Sequence, residues 1–192
     1  GSALNTVQIS KDDTVAVLGA GGVGLSTIMG VAYAGASQII AIDIVPEKEI
    51  IARNVGATDF LLSSQDTIKQ IKSITNNRGV DYAFEAVGIP KLQELAFEIV
   101  RPGGTLVLSG ITPMGSETNF SGAILTRQEK TVKGCYYGSS DTSRDFRKYA
   151  DLFLAGKLPI DKMISRSYNL NQVNEAYTNM LHGKGGRGII RF

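Results

Sequence analysis

A cluster of glycines, Gly19-Ala20-Gly21-Gly22-Val23-Gly24, leaves this chain few folds to choose from. It sits between a short apolar run, Thr14 to Leu18, and a stretch from Gly22 to Ala34 whose Leu25, Ile28, Met29 and Ala32 recur at helical spacing. The pattern is GxGxxG in a strand–turn–helix setting, where each glycine has a job. Gly19 turns the chain sharply off the strand. Gly21 opens the backbone to a pyrophosphate, and Gly24 lets the helix pack close to the sheet. The helix start offers free amides and a positive dipole end to a pair of phosphates. Any tight strand–helix turn also favours glycine, so the motif needs a second feature before it implies a ligand.

Asp43 is that second feature. Gln38 to Asp43 reads as a buried strand, and its last carboxylate stands 19 residues beyond Gly24. A carboxylate there accepts hydrogen bonds from the adenosine ribose hydroxyls. Its charge repels the extra phosphate of NADP, and Ile44 after it is neither basic nor hydroxylated. The expected cofactor is therefore NAD. The plainer reading of Asp43 is a polar strand end or a helix cap.

Strand and helix patterns alternate along the chain. Gly35 stops the first long helix, and Pro46 suits the first turn of the next, which ends near Gly56. Strands are predicted at Asp59 to Leu62, Val80 to Ala86, Thr105 to Ser109 and Thr131 to Tyr136. Helices are predicted at Thr67 to Thr75 and Pro90 to Val100, with a turn at Arg101 to Gly104 and an irregular stretch from Ile111 to Gln128. Such alternation implies α/β architecture: a Rossmann, doubly wound, six-stranded parallel sheet in the order 3-2-1-4-5-6. The pattern changes after Gly138. A helix from Arg144 to Ala155 turns Phe146, Tyr149, Ala150 and Phe153 inward. A strand follows at Ile164 to Tyr168, and a helix at Asn171 to Leu181 carries Val173, Ala176, Tyr177, Met180 and Leu181 on one stripe. A closing strand, Gly188 to Phe192, has its partners outside the main sheet. These elements form a small C-terminal α+β appendage.

Composition narrows the function. The 192 residues carry a net charge of +2 with no basic run, so neither a nucleic acid nor a membrane is an expected partner. Gly1 to Lys11 lacks a basic region followed by an apolar one, so no signal peptide is expected there. A single cysteine, Cys135, allows no internal disulfide and suits a reducing cytoplasm. With one histidine, His182, and neither HExxH nor CxxC, the chain has no convincing zinc site and no expected metal or catalytic residue of its own. Read singly, Lys48 and Arg187 are surface residues, His182 a helix-end partner and Cys135 a packed thiol. Glu85 is a strand-end acid with no catalytic role, and Tyr136 and Tyr137 pack at the sheet edge.

The stretches VAVLGAGGVGLSTIMG, IIAIDI, GVDYAFEAVG, RPGGTLVLSG, TVKGCYYG and GKGGRGIIRF together resemble the zinc-containing medium-chain alcohol dehydrogenases over essentially the whole chain. The details resemble most the class III, formaldehyde-dehydrogenase-like branch. The resemblance implies that Gly19, Gly21, Gly22, Val23 and Gly24 form the pyrophosphate loop, with Val23 against the nicotinamide ring. Asp43 and Lys48 hold the adenosine ribose, and Val87 and Gly88 run beside the cofactor. Ser109, Gly110, Cys135 and Tyr137 lie where main chain bonds the nicotinamide end, and Arg187 pairs with the pyrophosphate. Ile89 departs from the arginine that many members carry near the cofactor.

Members of that family are about twice this length, and their zinc ligands lie in an N-terminal domain. The resemblance thus divides the chain into a linker from that domain (1–12), the NAD-binding Rossmann domain (13–138) and a segment returning to the catalytic domain (139–192). It implies hydride transfer between NAD and a small alcohol, aldehyde or hemithioacetal-like substrate, with zinc in the full-length enzyme only. It also implies a homodimer joined through the sixth strand, and an isolated chain that binds NAD(H) without catalysis. Two alternatives stay open: an S-adenosylmethionine methyltransferase, which shares a glycine loop and an acidic strand end, and a non-catalytic dinucleotide-binding protein.

Overall fold

A computed structural model describes residues 1–183 and 185–192. Six strands form one parallel sheet: β1 (Thr14–Leu18), β2 (Gln38–Asp43), β3 (Asp59–Leu62), β4 (Val80–Glu85), β5 (Val100–Leu108) and β6 (Thr131–Gly134). Their order is β3-β2-β1-β4-β5-β6, the doubly wound order expected. The helices that cross between them are α2 (Gly22–Ala34), α3 (Lys48–Asn54), α4 (Thr67–Ile74), α5 (Pro90–Ile99) and α6 (Gly122–Arg127).

The sheet divides two apolar layers. On β1, Val15 and Val17 enter one layer with Leu25, Ile28 and Phe84, while Ala16 and Leu18 enter the other with Ile71, Phe97 and Leu106. Strand side chains alternate between faces, so a strand apolar at every position has to be covered on both sides. The continuous runs TVAVL and QIIAID therefore become the two innermost strands on their side of the sheet.

Several boundaries differ from the pattern. Helix α3 starts at Lys48, not at Pro46, because the Lys48 and Glu49 amides bond Val45 and Pro46 carbonyls in a tight turn first. Arg101 to Gly104 belongs to β5: Val80 pairs with Val100 and Tyr82 with Thr105, so the residues between bulge out of an otherwise continuous strand. Asp81 anchors that bulge, accepting from Arg101 Nε at 2.6 Å and from the Thr14 amide at 2.9 Å. The irregular stretch contains α6, capped by the Ser121 hydroxyl. Strand β6 stops at Gly134, and Tyr136 and Tyr137 stand exposed, their rings edge to face, instead of packing at the sheet edge.

The C-terminal part holds α7 (Thr142–Leu154), β7 (Ile164–Asn169), α8 (Val173–Leu181) and β8 (Arg187–Arg191). Strands β7 and β8 pair in parallel as a separate sheet, so the closing strand does find its partner outside the main one. Helix α7 is rotated relative to its apolar pattern. Asp145, Tyr149 and Leu152 face the body, while Phe146 and Phe153 are exposed. On α8, Tyr177, Met180 and Leu181 are likewise exposed.

A buried carboxylate explains the rotation of α7. Asp145 accepts from Asn5 Nδ2 at 3.1 Å, the Asp141 amide at 3.0 Å and Arg144 Nε at 2.7 Å. Asn5 belongs to α1 (Ser2–Thr6), whose Ala3 packs against Gly30 of α2. An unpaired buried carboxylate would be costly, so satisfying Asp145 sets the helix face. The Arg144 guanidinium holds the Asp145 carboxyl down to about 2, from an ordinary 3.8. A lowered carboxyl pKa adds stability that is complete above the unfolded value and is lost as pH falls through the folded one. Wild type should therefore exceed Asp145→Asn in denaturant midpoint near neutral pH, and the gap should close as pH falls from 3.8 toward about 2. A gap independent of pH would show that the charge of Asp145 does not hold α7.

Candidate functional site

Strands β1, β4, β5 and β6 each leave the sheet through one further ladder bond. The amides of Gly19, Ala86, Ser109 and Cys135 donate to the carbonyls of Ile42, Leu18, Glu85 and Leu108 on the neighbouring strand, at 2.8 to 2.9 Å. The exits of β1, β4, β5 and β6 are thus aligned at the carboxyl edge of the sheet. In open α/β sheets, ligands bind at this edge, where the strand order reverses. Here that point lies between β1 and β4.

The three glycines of the motif have three different reasons. Gly19 has φ +96°, a left-handed conformation that favours glycine. A Cβ on Gly24 would collide with the backbone carbonyl of Gly19. A Cβ on Gly21 would meet nothing within 4 Å, so the space there is open to a ligand. The first amides of α2 have no carbonyl one turn back to receive them. A Cβ on Gly22 would run into the Arg187 guanidinium, which lies against the loop from the start of β8. Among the described residues, that guanidinium has no carboxylate partner.

Asp43 is 7% exposed and does two things. Its Oδ2 accepts from the Ala20 amide inside the glycine loop at 2.7 Å and from Lys48 Nζ at 3.0 Å. Its Oδ1 accepts from the Val45 amide at 3.0 Å. The carboxylate thus ties β2, the glycine loop and the start of α3 together, and Lys48 supplies its counter-charge.

A cleft of about 370 Å³, lined by Gly21, Gly22, Lys48, Tyr177 and Arg187, opens over the loop, and two more flank it. One, of about 570 Å³, is lined by Gly19, Gly21, Asp43, Lys48 and Val87, with apolar walls from Ile44, Ile89 and Leu92. The other, of about 390 Å³, is lined by Gly22, Val23, Ser109, Cys135, Tyr137 and Arg187. Of the fourteen residues singled out in the sequence, Gly24, Gly88 and Gly110 line none of the three. They act by packing: a Cβ on Gly110 would strike the Gly88 amide, so the two loops lie back to back. Tyr137 is 82% exposed at the mouth of the cleft of Cys135, with φ +48°.

Cys135 faces a ring of hydroxyls. Ser2 Oγ lies 3.3 Å and Thr6 Oγ1 3.4 Å from its sulfur. Burial pushes this thiol up, but the hydroxyls of Ser2, Thr6, Ser139 and Ser109 outweigh it and leave the thiol below its ordinary value. The α1 residues Ser2 and Thr6 gave no signal in the sequence, because their place beside Cys135 depends on long-range packing. Glu85 is fully buried, and its Oε1 accepts the Val87 and Gly88 amides at 2.8 Å each. It is a structural acid, as its place at a strand end suggests.

The arrangement fits a dinucleotide: clefts lie over and on both sides of an open glycine turn, and Lys48 and Arg187 line the one over it. No three of His, Cys, Asp and Glu gather to hold a metal ion among the described residues. No helix among them is long and apolar enough to cross a membrane.

Residues 22–155 match the family profile of the zinc-binding dehydrogenases. The chain is 36% identical over 194 residues to the class-3 alcohol dehydrogenase of Myxine glutinosa, covering all of this chain and 51% of that one. It superposes on the crystal structure of benzyl alcohol dehydrogenase from Acinetobacter calcoaceticus with a TM-score of 0.93 at 29% identity, over 100% of this chain and 52% of the other. A Sinorhizobium meliloti structure, described as a zinc-binding dehydrogenase bound to NADP, matches with a TM-score of 0.82 at 29% identity, over 93% and 52%. The chain spans about half the length of the curated relatives it matches. A six-stranded parallel sheet with a glycine turn at its reversal point, joined to these similarities, makes the chain a member of the zinc-binding dehydrogenase family.

Proposed function

We propose that this chain is the cofactor-binding portion of an NAD-dependent, zinc-type alcohol dehydrogenase, with the zinc ligands carried outside these 192 residues. The observation that carries the reading is the open turn at Gly21, over which one cleft brings together Gly21, Gly22, Lys48 and Arg187. Residues 13–138 bind the cofactor, 1–12 link to the catalytic part, and 139–192 return toward it. The exposed apolar faces of α7 and α8 support that return.

Asp43 and Lys48 would hold the adenosine ribose, with Ile44 and Ile89 against the base. The amides at the start of α2 and the Arg187 guanidinium would hold the pyrophosphate, as guanidinium and helix amides suit phosphate oxygens. Val23 would border the nicotinamide, and Val87 and Gly88 would run beside the cofactor. Ser109, Gly110, Cys135 and Tyr137 would fix its carboxamide and ribose. The chemistry such a cofactor supplies is hydride transfer to or from a small alcohol or aldehyde. The residues of this chain orient and shield it, and none of them is assigned a proton transfer or a bond to zinc.

The class-3 relative supports the formaldehyde-dehydrogenase-like branch. Family membership removes the support for a methyltransferase. The sheet edge at β6 is exposed and supports a dimer built by pairing that strand with its copy. A reducing cytoplasm suits a chain with one thiol.

The relative bound to NADP makes cofactor choice the point to test. Calorimetric titration should give NAD(H) binding at least about tenfold tighter than NADP(H). Asp43→Ala should abolish most of that ratio. Equal wild-type affinities would remove the specificity role of Asp43, and binding of neither would remove the dinucleotide reading. In denaturant, Gly24→Ala should cost about 2 kcal/mol through its clash with Gly19. Gly21→Val should fold nearly as well as wild type yet bind NAD(H) much more weakly. A Gly21→Val chain with unchanged affinity would place the phosphates elsewhere.

A further inference from the structure

The buried Glu85 carboxylate has a second oxygen, and what reaches it comes from far away in the chain. Oε1 is occupied by the Val87 and Gly88 amides, and the Glu85 carbonyl takes the Ser109 and Gly110 amides at 2.8 and 2.9 Å. One residue therefore fixes four positions of the proposed site, among them Val87 in the cleft of Asp43 and Ser109 in the cleft of Cys135. Oε2 receives Gln93 Nε2 at 3.4 Å, and the same nitrogen donates to the Gly110 carbonyl at 3.4 Å. Both bonds are long, so they depend on how the Gln93 amide is turned. Gln93 is 4% exposed, and its Oε1 accepts the Thr118 hydroxyl at 2.7 Å. That short bond keeps the oxygen toward Thr118 and the nitrogen toward Glu85. Turned the other way, the Gln93 oxygen would face a buried carboxylate. Thr118 lies in the mainly exposed segment between β5 and α6, which is held nearby by the Asn119 amide on Glu94 at 3.1 Å.

We infer that Thr118 and Gln93 are positioning residues for the nicotinamide end of the dinucleotide site, acting through Glu85 on the Val87–Gly88 and Ser109–Gly110 turns. The inference rests on the dinucleotide reading. Thr118 turns Gln93, Gln93 completes the shell of Glu85, and Glu85 sets the two turns. Coupling of this kind is reciprocal, so a ligand that orders the turns also orders the segment carrying Thr118. Neither Thr118 nor Gln93 lines any of the clefts around the glycine loop, and no hydrogen bond of this network goes to Asp43, whose partners are Ala20, Val45 and Lys48.

The test compares NADH with ADP-ribose, which keeps the adenosine and pyrophosphate parts and lacks the nicotinamide. Thr118→Val and Gln93→Met are titrated beside wild type, and amide exchange at Val87, Gly88 and Gly110 is read in the ligand-free chains. Thr118→Val should weaken NADH about tenfold, weaken ADP-ribose much less and speed exchange at the three amides. Gln93→Met should widen the same split; if it fails to fold, Thr118→Val carries the test alone. Wild-type binding of both ligands with no change in the variants would overturn the inference while leaving the dinucleotide reading intact. Equal weakening of both ligands would also overturn it, since that marks a general loss of structure. Binding of neither ligand by wild type would overturn the dinucleotide reading and this inference with it.

Discussion

The rest of the structure depends on β1 being buried on both faces and bonded on both edges. The helices that follow β1 and β4 pack on opposite faces of the sheet, α2 with one apolar layer and α5 with the other. A ligand-sized gap at the end of β1 follows from that topology, before any side chain is specified. The glycine turn fits into the gap. The ladder bonds at the strand exits then hold the surrounding loops at a common height. The clefts on either side of the turn result from these backbone constraints, and the side chains of Asp43, Lys48 and Arg187 add charge to a shape already made.

The central sheet was legible because its strands carry local, redundant signals. TVAVL and QIIAID are too short and too apolar for anything but buried strands, and Gly35 stops α2 where the pattern says. The glycine turn was legible for the same reason, since the demands on Gly19 and Gly24 are local. Lys48 and Arg187 read singly as surface residues, and only the resemblance brought them to the loop. What proved illegible was long-range. The Asp145 bonds to Asn5 span most of the chain, and they turned α7 away from its apolar stripe. The link from Thr118 through Gln93 to Glu85 has no sequence pattern, because no repeat or spacing relates a loop hydroxyl to a helix amide.

The rotation of α7 has a physical origin. Periodicity shows which side of a helix is apolar, but not which of two available bodies that side packs against. A polar anchor on the other side decides the matter for α7, and Phe146 and Phe153 are left facing outward. The paired strands β7 and β8 show the same ambiguity, since apart from Tyr168 their residues are at most half-buried.

The two roles of Asp43 have a consequence for redesign. Protein engineers who wish to exchange one nicotinamide cofactor for its phosphorylated counterpart commonly begin at the acid that ends the second strand. In this chain that acid is also the latch of the glycine turn, through the Ala20 amide. A neutral replacement would admit the new phosphate and at the same time release the turn that receives the old one. A successful swap has to give the Ala20 amide another acceptor first, so recognition and scaffold cannot be altered one residue at a time.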